Sequence, residues 1–120
     1  MSLDRYRRLA ALLKNKTEDG SLSWSLAGDQ SVLQSNISGY TLQLSESDGD
    51  RGSIYTVDIF NKDGDIIDSF NDEDIDKDDL YAQNFYGMMR ETFHAAKRKA
   101  SGADRALDEI LKSLDEMFPF

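Results

Sequence analysis

The spacing of apolar residues changes twice along this chain, and those changes limit what it can fold into. Over residues 3–16 the spacing is helical: Tyr6, Leu9, Ala10 and Leu13 fall on one face at i, i+3, i+4 and i+7. From Ser21 the period becomes two. Leu22, Trp24 and Leu26 alternate with serines, Tyr40, Leu42 and Leu44 alternate with Thr41, Gln43 and Ser45, and Tyr55, Val57 and Ile59 alternate with Ile54, Thr56, Asp58 and Phe60. Side chains that recur every second residue line one face of a strand. Beyond about Lys77 the helical period returns, with Tyr81, Phe85, Met88, Thr92 and Ala95 or Ala96 as the stripe expected to be buried. A last helix, over 103–117, carries Leu107, Ile110, Leu111, Leu114 and Met117 on one face.

The expected elements are therefore a helix over 3–16, strands over 21–26, 32–37, 40–45, 54–60 and 66–70, and helices over 77–100 and 103–117. Ser2 is the expected N-cap of the first helix. Residues 46–52 read as a polar loop and 61–65 as a hairpin connection. Short connections favour antiparallel neighbours. Strands in one run and helices in another indicate α+β architecture. The expectation is one domain over 1–120, with an N-terminal helix, an antiparallel meander of about five strands, and two C-terminal helices packed on one sheet face. The helices should bury the side bearing Trp24, Leu42 and Val57. Hydrophobic residues make up 39% of the 120, and twelve are aromatic, enough for a real core.

Charge is segregated within a net value of -9. Residues 1–16 balance to +4, residues 44–79 hold thirteen carboxylates against three basic groups, and residues 80–100 return to +3. Carboxylates near a helix start and Lys97, Arg98 and Lys99 near its end suit the helix macrodipole. A nucleic acid partner is not expected, because phosphate contacts need a continuous cationic face. A membrane partner is not expected either, since no apolar run approaches the roughly 20 residues of a spanning helix. The first residues, Met1 to Arg5, do not read as a secretion signal.

Chemical motifs are sparse. Cysteine is absent and His94 is the single histidine, which leaves no thiolate site and no multi-imidazole metal centre. The calcium-loop pattern fails in both registers: aligning Gly64 puts Ile59 first and Phe70 twelfth, and aligning Gly49 puts Leu44 first and Tyr55 twelfth. No phosphate-binding glycine motif and no Gly-x-Ser-x-Gly elbow occurs. No catalytic residue, cofactor or metal is expected. Ser101 and Asp104 have capping-box spacing at the junction of the last two helices.

The run from Thr92 to Leu111, a basic helix meeting Ala100-Ser101-Gly102-Ala103-Asp104-Arg105-Ala106-Leu107, resembles the C-terminal helices of small stand-alone bacterial α+β proteins of unknown function. The resemblance covers about 20 residues and implies a bacterial, cytoplasmic protein. It carries no activity with it.

The functional expectation is a non-catalytic protein-binding or adaptor domain, monomeric or homodimeric, with an unknown and possibly basic protein partner. The candidate contacts are an outer apolar patch of Ile54, Phe60 and Phe70, the acidic row Asp72, Asp74 and Asp76, and the terminal Phe118 and Phe120. The alternative is a small-molecule-binding domain or enzyme, with Tyr40, Tyr55 or Tyr81 and a carboxylate in a pocket between sheet and helices. Further alternatives are an acidic chaperone or inhibitor, or a mimic of nucleic acid. An enclosed polar pocket would favour the pocket reading, and a filled core with an open apolar face would favour the binding module.

Overall fold

The computed structural model describes residues 3–77 and 83–117. Helix α1 (Asp4–Glu18) leads into strands β1 (Ser25–Ala27), β2 (Asp29–Ile37), β3 (Tyr40–Gly49), β4 (Gly52–Phe60) and β5 (Ile66–Asn71). Helices α2 (Asp72–Asp76), α3 (Phe85–Ser101) and α4 (Ala103–Met117) follow. The strands form one antiparallel sheet in the order β1-β2-β3-β4-β5. This is the α+β meander expected, with one short helix added.

One face of the sheet supplies the core. Leu33 pairs with Leu44, Leu44 with Val57, and Val57 with Phe70. Directly opposite residues in antiparallel strands share a face, so this ladder presents one continuous apolar surface. Ala10 and Leu13 of α1, Ile75 of α2, and Phe85, Met89, Phe93 and Ala96 of α3 close over it. Each such burial contributes about 1.5–3 kcal/mol for the larger side chains. The opposite face is mostly polar, with Val32, Ile54 and Phe60 among its apolar members. Gln34 pairs with Gln43, Asn36 with Thr41, Ser45 with Thr56, and Asp58 with Ser69. These groups satisfy one another: Thr41 donates to Asn36 at 3.0 Å and Ser69 to Asp58 at 2.6 Å. The helical residues that bury do so on the other side.

Four local departures have physical causes. Of the expected 21–26 strand only Ser25 and Leu26 join the sheet, with Ala27 added. Leu22 N–H donates instead to the Lys16 carbonyl at 3.1 Å, and Trp24 Nε1 donates to Thr17 Oγ1 at 3.0 Å, which ties this segment to the end of α1. The loop expected over 46–52 shrinks to a turn at Asp50 and Arg51. Pairing continues to Gly49 and Gly52, because the ladder bonds are made by backbone and tolerate polar side chains. A Cβ on Gly49 would lie 2.5 Å from the Ile54 Cδ1 atom, so the Ile54 side chain lies across Gly49 and would have to move for a larger residue there. The acidic link forms α2 with a capping box between Asn71 and Asp74.

The fourth departure is α3, which begins at Phe85 rather than near Lys77, with Asn84 as N-cap. Its buried set is Phe85, Met89, Thr92, Phe93 and Ala96, while Met88 is only half-buried. The arc differs from the expected stripe because α3 packs on α1 and α2 as well as on the sheet. At the α3–α4 junction the expected capping box is absent. Gly102, at φ +74°, ends α3 with its N–H shared between the Arg98 and Lys99 carbonyls. Ser101 therefore stays helical and bonds back to the Arg98 carbonyl, and Asp104 pairs with Arg98. Ser2 and Tyr81 lie outside the described residues.

Candidate functional site

The expected outer patch does not assemble. Phe70 is a core residue, stacked on Tyr6 with ring centroids 4.7 Å apart, and it faces the side opposite Ile54 and Phe60. Its partner across the ladder is Val57, so the strand register that buries Val57 buries Phe70 too. Ile54 and Phe60 share the outer face but stand six residues apart, about 20 Å along β4. Ile54 is half-buried beside Gly49. Phe60, also half-buried, lines an open polar cleft of about 380 Å³ with Thr41, Gln43 and Lys62. Phe118 and Phe120 lie outside the described residues.

The acidic row is likewise committed within the fold. Asp72 is buried, and its carboxylate accepts the Tyr55 N–H at 2.7 Å. Burial pushes this carboxyl above the ordinary aspartate range, and the Tyr55 N–H pulls it partly back. Asp74 accepts the Asn71 N–H at 3.0 Å to complete the capping box. Asp76 accepts the N–H groups of Phe85 at 2.6 Å and Tyr86 at 2.9 Å, so it caps α3 from outside that helix. Alternate acidic residues thus serve three backbone sites rather than a partner. The basic residues of α1 meet the same region: Arg7 donates to the Ile75 carbonyl at 2.8 Å and the Lys77 carbonyl at 3.0 Å, at the end of α2.

Among the described residues, the centre of the sheet–helix interface is filled. Ala10, Leu13, Leu44, Val57, Met89 and Thr92 converge there with no room for a water molecule. Tyr55, one of the residues considered for a ligand pocket, packs against Tyr86 and Phe93 at ring-centroid distances of 5.7 and 5.6 Å. Its hydroxyl donates to Glu46 at 2.6 Å, and burial followed by that bond pushes its pKa up to about 12. The ring packing and this bond hold the hydroxyl in place against Glu46. Tyr40 is exposed. Other clefts are open and shallow, about 440 Å³ between α1 and α3 and about 310 Å³ beside Trp24. His94 is exposed, edge-on to the Phe93 ring at 5.7 Å. Among the described residues, no buried side-chain polar atom lacks a partner and no three metal-ligating side chains converge.

What stands open is α4. None of its residues is buried, and its main contact is with α3 across Gly102. Leu107, Ile110, Leu111, Leu114 and Met117 are between 47% and 67% exposed, all on one face. Together they present roughly 500 Å² of surface, near the upper end of the largest apolar patch a typical monomer carries. Charged residues occupy the remaining faces: Arg105 pairs with Glu109 at 3.2 Å, and Asp104 with Arg98 at 2.6 Å. The helical spacing of this stripe is plain in the sequence. Its exposure was not legible there: α1, α2 and α3 together cover the apolar face of the sheet, and α4 makes its main contact with α3.

Compared with known proteins, the chain matches no family model, no curated protein and no solved structure.

Proposed function

We propose that this chain is a non-catalytic protein-binding domain of the adaptor type and that α4 is its recognition element. One observation carries the reading: an amphipathic helix with no buried residue presents five large apolar side chains on a single face. An apolar helix face of this kind is the form in which helices enter grooves or pair with other helices. The filled space beneath the sheet supports a binding module over an enzyme with a sheet–helix pocket. The net charge of -9 supports a protein partner over a nucleic acid. The engagement of Asp72, Asp74 and Asp76 with backbone N–H groups speaks against an acidic ridge that mimics nucleic acid. The resemblance of residues 92–111 to small bacterial proteins supports a cytoplasmic setting.

The test is site-specific photo-crosslinking in the native cell. A photoreactive residue at Ile110 should give a discrete protein adduct, while one at Gln43, on the outer sheet face, should give none. Absence of any adduct from Ile110, Leu111 and Leu114 would overturn the reading.

A further inference from the structure

The spacing of the α4 stripe is the same in both directions. Leu107, Ile110, Leu114 and Met117 are separated by three, four and three residues. This is the seam of two interlocked helices, with Leu111 widening it on one side. A reversed copy of the same helix therefore offers each residue a partner at its own level: Leu107 opposite Met117 of the second copy, and Ile110 opposite Leu114. Positions bordering the seam are Asp104, Ala106, Leu111 and Ser113, and the one charge among them is already paired with Arg98 at 2.6 Å. The unpaired carboxylates Asp108, Asp115 and Glu116 lie on the far faces, so like charges are kept out of the contact.

Among the described residues, no other surface competes as a receptor. Among the described residues, the remaining exposed large apolar side chains are Leu12, Leu26, Tyr40, Ile66, Ile67 and Tyr86. They are dispersed over five elements, and Ile66 and Ile67 are neighbours in a strand, where successive side chains point to opposite faces. A contact between unlike surfaces would close only if its rotation completed a ring, whereas the same patch on both copies closes as a dimer. Two such helices would bury about 1,000 Å² in all, the lower limit for a specific interface. Reversal further keeps the bulk of two chains of charge -9 at opposite ends of a helix about 22 Å long.

Building on the reading of α4 as the contact surface, we propose that its occupant is a second copy of this chain, in a two-fold symmetric dimer held by antiparallel α4 helices. The full chain should show a monomer–dimer equilibrium in sedimentation velocity between about 1 and 500 µM, with a dissociation constant of about 1–100 µM. Because the seam is apolar and the bodies repel, raising NaCl from about 0.05 to 0.5 M should tighten it. Ile110→Glu should weaken it at least about tenfold with an unchanged circular dichroism spectrum, while Ile67→Thr leaves it unchanged.

The absence of cysteine in the sequence allows a register test. Under oxidation, Leu107→Cys and Met117→Cys should each stay uncrosslinked alone and form a disulfide when mixed. Self-crosslinking of Leu107→Cys would overturn the antiparallel arrangement. A chain that stays monomeric throughout, with an Ile110 photo-adduct to a different protein, overturns the dimer and leaves the binding function standing. In that case salt-weakened capture marks a basic partner. A monomer with no adduct overturns both.

Discussion

Asp72 shows how one buried side chain links protonation to folding. Its carboxylate accepts the Tyr55 N–H inside the protein, and burial raises its pKa above the ordinary 3.8. The native state therefore binds this proton more tightly than the unfolded chain. The favourable contribution of the group is fully present below 3.8 and is lost as pH rises through the higher folded value. Asp72→Asn keeps an acceptor for Tyr55 and removes the titration. Urea unfolding from pH 3 to 7 should show the variant gaining on the parent as pH rises, with a plateau once Asp72 is ionised. A gap that does not change with pH would refute this. Asp72→Ala removes the acceptor as well and should be about 1–3 kcal/mol less stable than Asp72→Asn at every pH. Nothing in the residue order marked Asp72 as different from its acidic neighbours. Its role depends on where β4 passes the start of α2, a contact between positions 17 apart.

At the scale of elements, the strands and helices were legible because their apolar periods differ, and most boundaries fell within a few residues. The failures came where a backbone group found a partner outside its own element. The segment around Leu22 and Trp24 was drawn to the end of α1, and the polar residues 46–49 stayed in the ladder. Asp76 illustrates the same cause, holding the first turn of α3 from α2. Asp76→Ala should speed hydrogen exchange at the Phe85 and Tyr86 amides and lower stability by about 1 kcal/mol. Exchange at Leu44 and Val57, deep in the ladder, should change only through that global loss. Unaltered exchange at Phe85 would show that another group caps α3.

For the molecule as a whole, the candidate contacts read from sequence were mostly absorbed by the fold. Phe70 went to the core, and Asp72, Asp74 and Asp76 went to backbone N–H groups. The surface that remained was recognisable as a helix in the sequence but not as a free one, because exposure depends on how many helices a sheet face can accept. The structure divides into a body, closed by α1 and α3, and α4 beyond Gly102. A chain ending at Gly102 should keep its unfolding free energy in urea within about 0.5 kcal/mol of the full protein, since α4 places no side chain in the core. A larger loss would mean that α4 supports the body. That division also shapes how such a protein changes over generations. Substitutions along the Leu107–Met117 stripe leave the core untouched, so the packing of the core does not filter variation there, and the stripe can drift while the scaffold stays constant.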